Sequence, residues 1–352
     1  MRVRQVSSDA ATRFGSSARA ALGRALVGDG RSRRPAGRLA RPVALALLST
    51  FAFAAQSETV LRVGDQKGNA RAVLEAAHAL DGVGYTIQWF EFPAAAPLLE
   101  AAKAGAIDAG TVGDAPFTFA AAAGAPVKAI QATRSGPQGL AIVVRADSPA
   151  HAFRDLVGKT IATGRGSIGH QLVLALLEAN GLKASDVKLV FLPPSDAAVA
   201  LSTGSVDAWS TWDPYTAQRE LIQHDRAIAD SAGLTAGLSF FFARDDALAD
   251  PDKRAALGDF VARLARARAW GLGHLEDYAK TWSGIVGLPT EVGEKVHARA
   301  RLRPTPIDAG VVADEQRTID LYARSGLIPK PLDASTIVSP IFTREIAAEL
   351  KP

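Results

Sequence analysis

An internal repeat limits what this chain can fold into more than any other feature. Gly105, Ile107, Asp108, Ala109 and Asp114 recur as Gly204, Val206, Asp207, Ala208 and Asp213 at a constant offset of 99, and Phe92-Pro93 recurs as Leu192-Pro193 at an offset of 100. The surroundings repeat too. Apolar runs at 60–64, 85–92, 107–111 and 127–131 read as strands, with helices predicted over 71–80 and 97–104. Further along, strands at 160–163 and 187–192 are followed by helices over 171–179 and 196–202. Alternating strands and helices imply parallel α/β sheets, whose ligands lie beyond the carboxyl ends of the strands. A repeat of this kind predicts two similar lobes facing each other across a cleft.

The chain has 352 residues, more than one domain usually holds, so two lobes also suit its length. Residues 141–145 read as a crossover into the second lobe and 238–243 as the strand that returns, and two crossovers make a hinge. The expected division is therefore 59–143 plus 238–352 for lobe 1 and 144–237 for lobe 2. The remainder is mainly helical, over 252–271, 274–283, 290–299 and 310–325, and the Ala/Arg-rich 263–270 reads as an amphipathic stretch with solvated arginines.

Ahead of the fold lies a different kind of sequence. Residues 42–54 are an apolar stretch behind an Arg-rich segment, ending in the A-x-A pattern Ala52-Phe53-Ala54. Thirteen residues are too few to span a bilayer, which takes about 20, so 1–54 reads as an export leader cleaved near Ala54. This changes the charge argument. Of 40 basic and 36 acidic residues, the leader holds ten arginines and two aspartates, leaving 30 against 34, a net charge of −4. Such a protein has no electrostatic reason to bind nucleic acid. There is no cysteine, which excludes disulfides, thiol catalysis, Cys-based zinc sites and a lipoprotein anchor.

The candidate site centres on the turn Gly164-Arg165-Gly166-Ser167-Ile168-Gly169-His170, which joins a strand to an apolar helix. Unpaired N–H groups and the macrodipole make such a helix start an anion site, and Ser167 adds a hydroxyl. The spacing also fits the dinucleotide fingerprint, but that reading needs an acid at the end of the next strand, about 20 residues on. Asp186 precedes the strand, and Asp196 lies 32 residues beyond Gly164. No G-x-S-x-G or H-E-x-x-H is present, and the six histidines are scattered. Asp114 and Asp213, each close to a proline at a loop-to-helix start, read as helix N-caps, because a carboxylate beside an anionic ligand repels it. An amine on the ligand would reverse that preference. Trp212 is the candidate apolar wall of the cleft. Lys67 either neutralises the anion or points to water, and His170 either donates to the ligand or caps its helix.

Several of these segments resemble one family. Leu61-Arg62-Val63-Gly64-Asp65-Gln66-Lys67-Gly68 is similar to the opening strand and Q-K-G turn of the aliphatic sulfonate-binding proteins of ABC transporters. Gly113-Asp114-Ala115-Pro116, Gly166-Ser167 with His170, and Asp207-Ala208-Trp209 with Trp212-Asp213-Pro214-Tyr215 resemble its cleft motifs, and Leu327-Ile328-Pro329-Lys330 its C-terminal segment. The likeness runs from about residue 60 to 340. Departures are Ile168 in place of a small polar residue, Asp65 in place of an aromatic, and Gly136-Pro137-Gln138-Gly139 in place of a more charged loop.

The resemblance implies an α/β, type II periplasmic binding-protein fold of two parallel or mixed-sheet lobes. It implies an alkanesulfonate ligand, delivery to a permease powered by an ATPase, and a periplasmic monomer with no cofactor, no metal and no catalytic residue. The implied ligand-binding residues are Gln66, Lys67, Gly113, Asp114, Ser135, Gly166, Ser167, Gly169, His170, Trp212 and Asp213. Related binding proteins take taurine, nitrate or thiamine-precursor pyrimidines, and a secreted enzyme using the same cleft is the alternative from another class.

Overall fold

The computed structural model describes residues 58–351, so the leader expected over 1–54 lies outside them. From its first strand the chain runs β1 (Val60–Gln66), α1 (Arg71–Ala76), β2 (Thr86–Phe92), α2 (Ala95–Lys103), β3 (Ala109–Gly113), α3 (Asp114–Ala122) and β4 (Val127–Arg134). It continues through β5 (Leu140–Val144), β6 (Thr160–Thr163), α4 (Ile168–Ala179), β7 (Lys188–Phe191), α5 (Pro194–Ser202), β8 (Ala208–Trp212), α6 (Tyr215–Leu221) and β9 (Arg226–Asp230). It ends with β10 (Leu238–Arg244), α7 (Asp245–Ala249), α8 (Pro251–Gly271), α9 (Leu275–Val286), α10 (Thr290–Ala300), β11 (Arg303–Thr305), α11 (Ala309–Arg324) and α12 (Thr343–Glu349).

Two sheets result, in the orders β11-β4-β10-β3-β1-β2 and β7-β6-β8-β5-β9. The repeat is visible in both. β1 is flanked by parallel β2 and β3, and β6 by parallel β7 and β8. One antiparallel strand then enters each sheet beside the repeated unit, β10 against β3 and β5 against β8. Both sheets are therefore mixed.

β5 lies wholly in the second sheet, paired with β8 and β9, so its residues 140–143 do not belong to lobe 1 as the sequence division had them. The passage between sheets falls instead at 135–139 on the way out and at 231–237 on the way back. These two connections are tied together: Ser135 N donates to Gly237 O at 2.8 Å, and Ser231 Oγ donates to Pro137 O at 3.0 Å. Apolar alternation could not place the boundary, because β5 is buried along most of its length and reads as one apolar run.

Packing follows from the apolar faces. α4 buries Leu172, Val173, Leu176 and Leu177 against Ile142, Val144 and Ile161 of the second sheet, and each such side chain contributes about 2 kcal/mol by leaving water. Phe240 and Phe242 of β10 bury on one face of the first sheet and Phe241 on the other. α1 stops at Ala76 and does not run to residue 80. His78 is left-handed (φ 49), His78 N donates to Glu75 O at 3.1 Å, and Ala79 N donates to Leu74 O at 2.9 Å, a Schellman closure.

Candidate functional site

The carboxyl ends of the strands from both sheets meet at a cavity of about 560 Å³. It draws Lys67, Gly113 and Ala95 from the first lobe, Arg165, Ser167 and Trp212 from the second, and Trp282 and His297 from the C-terminal helices. The lobes touch around it: a side chain at Gly113 would strike Ile168 Cγ2 at 2.6 Å, and one at Gly166 would strike Phe119 at 2.7 Å. Polar bonds also cross. Tyr215 Oη donates to Pro93 O at 2.8 Å, Tyr322 Oη donates to Ser167 O at 3.1 Å, and Gln171 Nε2 donates to Thr318 Oγ1 at 2.9 Å.

Every helix start near this cavity carries a partial positive charge, but they are not equally open to a ligand. At α1 the buried Asp65 carboxylate accepts from Ala70 N and Arg71 N, so the anion there is the protein's own. At α3 the Asp114 carboxylate accepts from Ala115 N at 2.8 Å, and Pro116 has no N–H. At α5, Pro194 likewise lacks a donor. α4 differs. Its N-cap is the neutral Ser167, whose Oγ accepts from His170 N at 3.2 Å and donates to Gly164 O at 2.7 Å. The N–H groups of Ile168 and Gly169 are left with no helical partner and no carboxylate in front of them. α2 has the same character: Ala94 caps it without a side-chain bond, and Ala95 and Ala96 line the cavity.

Two cations line the cavity. Arg165 lines the cavity with its guanidinium 3.9 Å from the centre of the Phe191 ring, and Lys67 stands in a left-handed turn (φ 51) whose carbonyl accepts from Trp282 Nε1 at 2.7 Å. The carboxylates of the wall are neutralised or engaged. Burial pushes Asp114 above the usual carboxylate range, against the bonds it accepts from Ala115 N, Thr318 Oγ1 and Gln171 Nε2. Burial also pushes Asp213 up, opposed by Arg299, whose Nε donates to Asp213 Oδ2 at 2.7 Å. The cavity is thus built for a strong-acid anion and offers no free carboxylate to a cation.

The expected site residues divide into those in the wall and those behind it. Gln66, Lys67, Gly113, Asp114, Ser135, Ser167, Trp212 and Asp213 line the cavity. Gln66 Nε2 is already spent on Thr111 O at 2.6 Å, and Ser135 serves the connection between the lobes. Gly166, Gly169 and His170 are not in the wall. Gly166 turns the chain with φ 69, and Gly169 lets α4 press on β8, since a Cβ there would meet Ser210 O at 2.5 Å. His170 is buried, its Nδ1 accepts from Gly166 N at 3.2 Å, and burial, aided by Arg165, lowers it to about 4. It is a neutral brace for the turn, with its proton on Nε2. The N-cap positions are Gly113 and Pro214, not Asp114 and Asp213. Asp213 nonetheless accepts from Ala217 N at 3.1 Å and so serves the first turn of α6.

Sequence reasoning missed Arg165, Arg299 and His297. Arg165 sat inside the quoted turn and needed only its charge to be considered. Arg299 and His297 lie on α10, far along the chain, and nothing local marks them. Among the described residues no group of three or more His, Cys, Asp or Glu side chains could hold a metal ion.

A family profile described as NMT1/THI5 like matches residues 91–274. A protein of Escherichia coli (strain K12) named for binding aliphatic sulfonates is 36% identical over 281 residues, which is 78% of this chain and 87% of that one. The solved alkanesulfonate-binding protein of Xanthomonas axonopodis pv. citri, bound to MOPS, superposes with a TM-score of 0.73 at 32% identity, covering 80% of this chain and 98% of that one. The periplasmic aliphatic sulphonate binding protein of Escherichia coli gives 0.71 at 33% identity, covering 80% and 92%.

Proposed function

The chain belongs to the aliphatic sulfonate-binding proteins, solute receptors of ABC importers, and from that premise we propose how its cleft takes an alkanesulfonate. The ligand's −SO₃⁻ group sits at the start of α4, against the N–H group of Ile168, which lines the cavity. Arg165 and Lys67, both in the cavity wall, supply positive charge. Uncharged backbone donors suit a sulfonate, which stays ionised throughout and requires no proton transfer. Trp212 and Trp282 provide apolar surface for the organic portion. The observation that carries this reading is the contrast in capping: α1 and α3 are closed by buried aspartates, whereas α4 carries a neutral serine.

The same contrast favours a simple alkanesulfonate over taurine. An ammonium would need a free carboxylate, but Asp114 is held by Thr318 and Gln171 and Asp213 by Arg299. The protein acts as a monomeric periplasmic receptor, exported by the leader and cleaved near Ala54. It hands its ligand to a membrane permease driven by an ATPase, and the ligand leaves chemically unchanged. Calorimetric titration with alkanesulfonates, taurine, sulfate and nitrate tests the reading. Binding of alkanesulfonates in preference to the other three is expected; a cleft that takes nitrate or taurine and no alkanesulfonate overturns it.

A further inference from the structure

The sulfonate reading leaves several polar atoms of the cavity wall without a partner, namely Thr111 Oγ1, Gln171 Oε1, Thr235 Oγ1 and both ring nitrogens of His297. His297, on α10, is only 5% exposed, and neither Nδ1 nor Nε2 has a hydrogen-bond partner within the protein. Its ring lies 3.7 Å from the Tyr278 ring in a stacked arrangement and edge-on to Trp282 at 5.5 Å. Both neighbours also line the cavity, as does Val296. A ring needed only to fill this space would be better served by Phe, because leaving a buried donor or acceptor unmatched costs about 1–3 kcal/mol. Both nitrogens are shielded in this structure, so a group arriving from the cavity meets one of them once the ring or its neighbours shift slightly.

We propose that His297 is a specificity-determining residue that hydrogen-bonds an uncharged oxygen, an ether or hydroxyl, on the organic portion of the ligand. The inference rests on the sulfonate reading above and extends it from the head group to the rest of the molecule. The imidazole is neutral, since burial alone lowers it to about 3, so it presents one N–H donor and one nitrogen acceptor. A hydroxyl can satisfy either, and an ether oxygen satisfies the donor. The side chains packed on the ring, those of Tyr278 and Trp282, carry no charge, so they offer nothing to balance an ionised group on the ligand. The cavity would then read its ligand twice: charge at α4 and a neutral polar atom at α10.

The test uses heptane-1-sulfonate and its positional ether isosteres, in each of which one methylene is replaced by oxygen, titrated into the wild-type protein and into His297→Phe and His297→Gln. At least one isostere should bind wild type roughly tenfold more tightly than the alkyl parent, a bonus of the size expected for one hydrogen bond. His297→Phe should erase or reverse that preference, and His297→Gln, which keeps a donor and an acceptor, should retain part of it. Equal binding of parent and isosteres by wild type, or a preference that survives His297→Phe, overturns the inference while leaving sulfonate binding intact. Failure of wild type to bind any of these sulfonates defeats the underlying reading instead. Circular dichroism of both variants separates a lost contact from a lost fold.

Discussion

Asp108 and Asp207 make the same bond in the two halves of the molecule. Asp108 Oδ2 accepts from Arg62 N on β1 at 2.9 Å, and Asp207 Oδ2 accepts from Thr160 N on β6 at 2.8 Å. Their own N–H groups answer in kind, donating to Arg62 O at 2.7 Å and Thr160 O at 2.9 Å. Each aspartate thus locks the entry of one parallel strand pair, behind a left-handed glycine, Gly105 or Gly204. The two sites differ in their cations. Asp108 is buried and also held by Arg62 Nη2 and by Lys253 Nζ at 2.8 Å, whereas Asp207 is exposed.

Asp108→Asn should therefore destabilise the fold by about 2 kcal/mol, and Asp207→Asn by within about 0.5 kcal/mol. Burial works against the Asp108 carboxylate, but its bonds to Arg62 and Lys253 hold it below the ordinary range. For an acid depressed in the folded state, the added stability is present above the unfolded value near 3.9 and disappears as pH falls through the folded value. Urea titrations of wild type and Asp108→Asn should converge in acid and separate above about pH 4. A gap that persists unchanged into strong acid would contradict this.

Ser167 sits at the mouth of the anion site, yet its hydroxyl is committed to Gly164 O and His170 N. Ser167→Ala should cost about 1 kcal/mol of stability, as for a lost N-cap, and change sulfonate affinity by only a few-fold. A large loss of affinity with an unaltered melting temperature would show instead that the hydroxyl turns toward the ligand.

His170 sets a second pH dependence, of the opposite chemical kind. Its folded value of about 4 lies below the unfolded value near 6.5. The folded state resists the proton, so stability is full above about pH 6.5 and declines as pH falls toward 4, by roughly 3 kcal/mol in the limit. His297, lowered to about 3 by burial, acts with the same sign. Melting temperature followed from pH 7 to 4 should drop, and His170→Gln should make that slope shallower. An identical slope in the variant would remove His170 from the account.

Arg299 and Asp213 join the C-terminal helices to the second lobe across the cleft edge, with side chains 9% and 11% exposed. Arg299→Met leaves Asp213 uncompensated in the wall of an anion site. Sulfonate affinity should fall about tenfold or more, and adding Asp213→Asn should recover most of it. Recovery is the informative result, because it assigns the loss to the bare charge and not to a disturbed α10.

The repeated sheets were legible because they are written in local signals: glycines at fixed spacing, apolar strands, and prolines after β2 and β7. β6 falls where its apolar run predicts, over 160–163. The chain's passage between lobes was not legible, because β5 is apolar from end to end while the connecting bonds of Ser135 and Ser231 are made to backbone. β9 and β11 also escaped notice. β9 alternates little and carries charge at both ends, and β11 is three residues long with a central proline. Of the site, the wall residues supplied by loops after strands could be found from turn chemistry. The two readings of His170 could not be separated, since only the structure shows its ring buried and its Nδ1 accepting from Gly166 N. The partners of Asp114 and Asp213 come from α4, α10 and α11, at separations no local pattern encodes.

The most direct measurement of the central claim is anomalous diffraction from crystals of the protein grown with an alkanesulfonate. The chain has no cysteine and its only methionine is Met1, so residues 58–351 contain no sulfur and any sulfur peak among them belongs to the ligand. The account predicts one peak in the cleft, at the start of α4 within reach of the N–H group of Ile168. A peak elsewhere, such as in the outer groove beside Glu220, Lys295 and Arg299, with the α4 turn left empty, would contradict it.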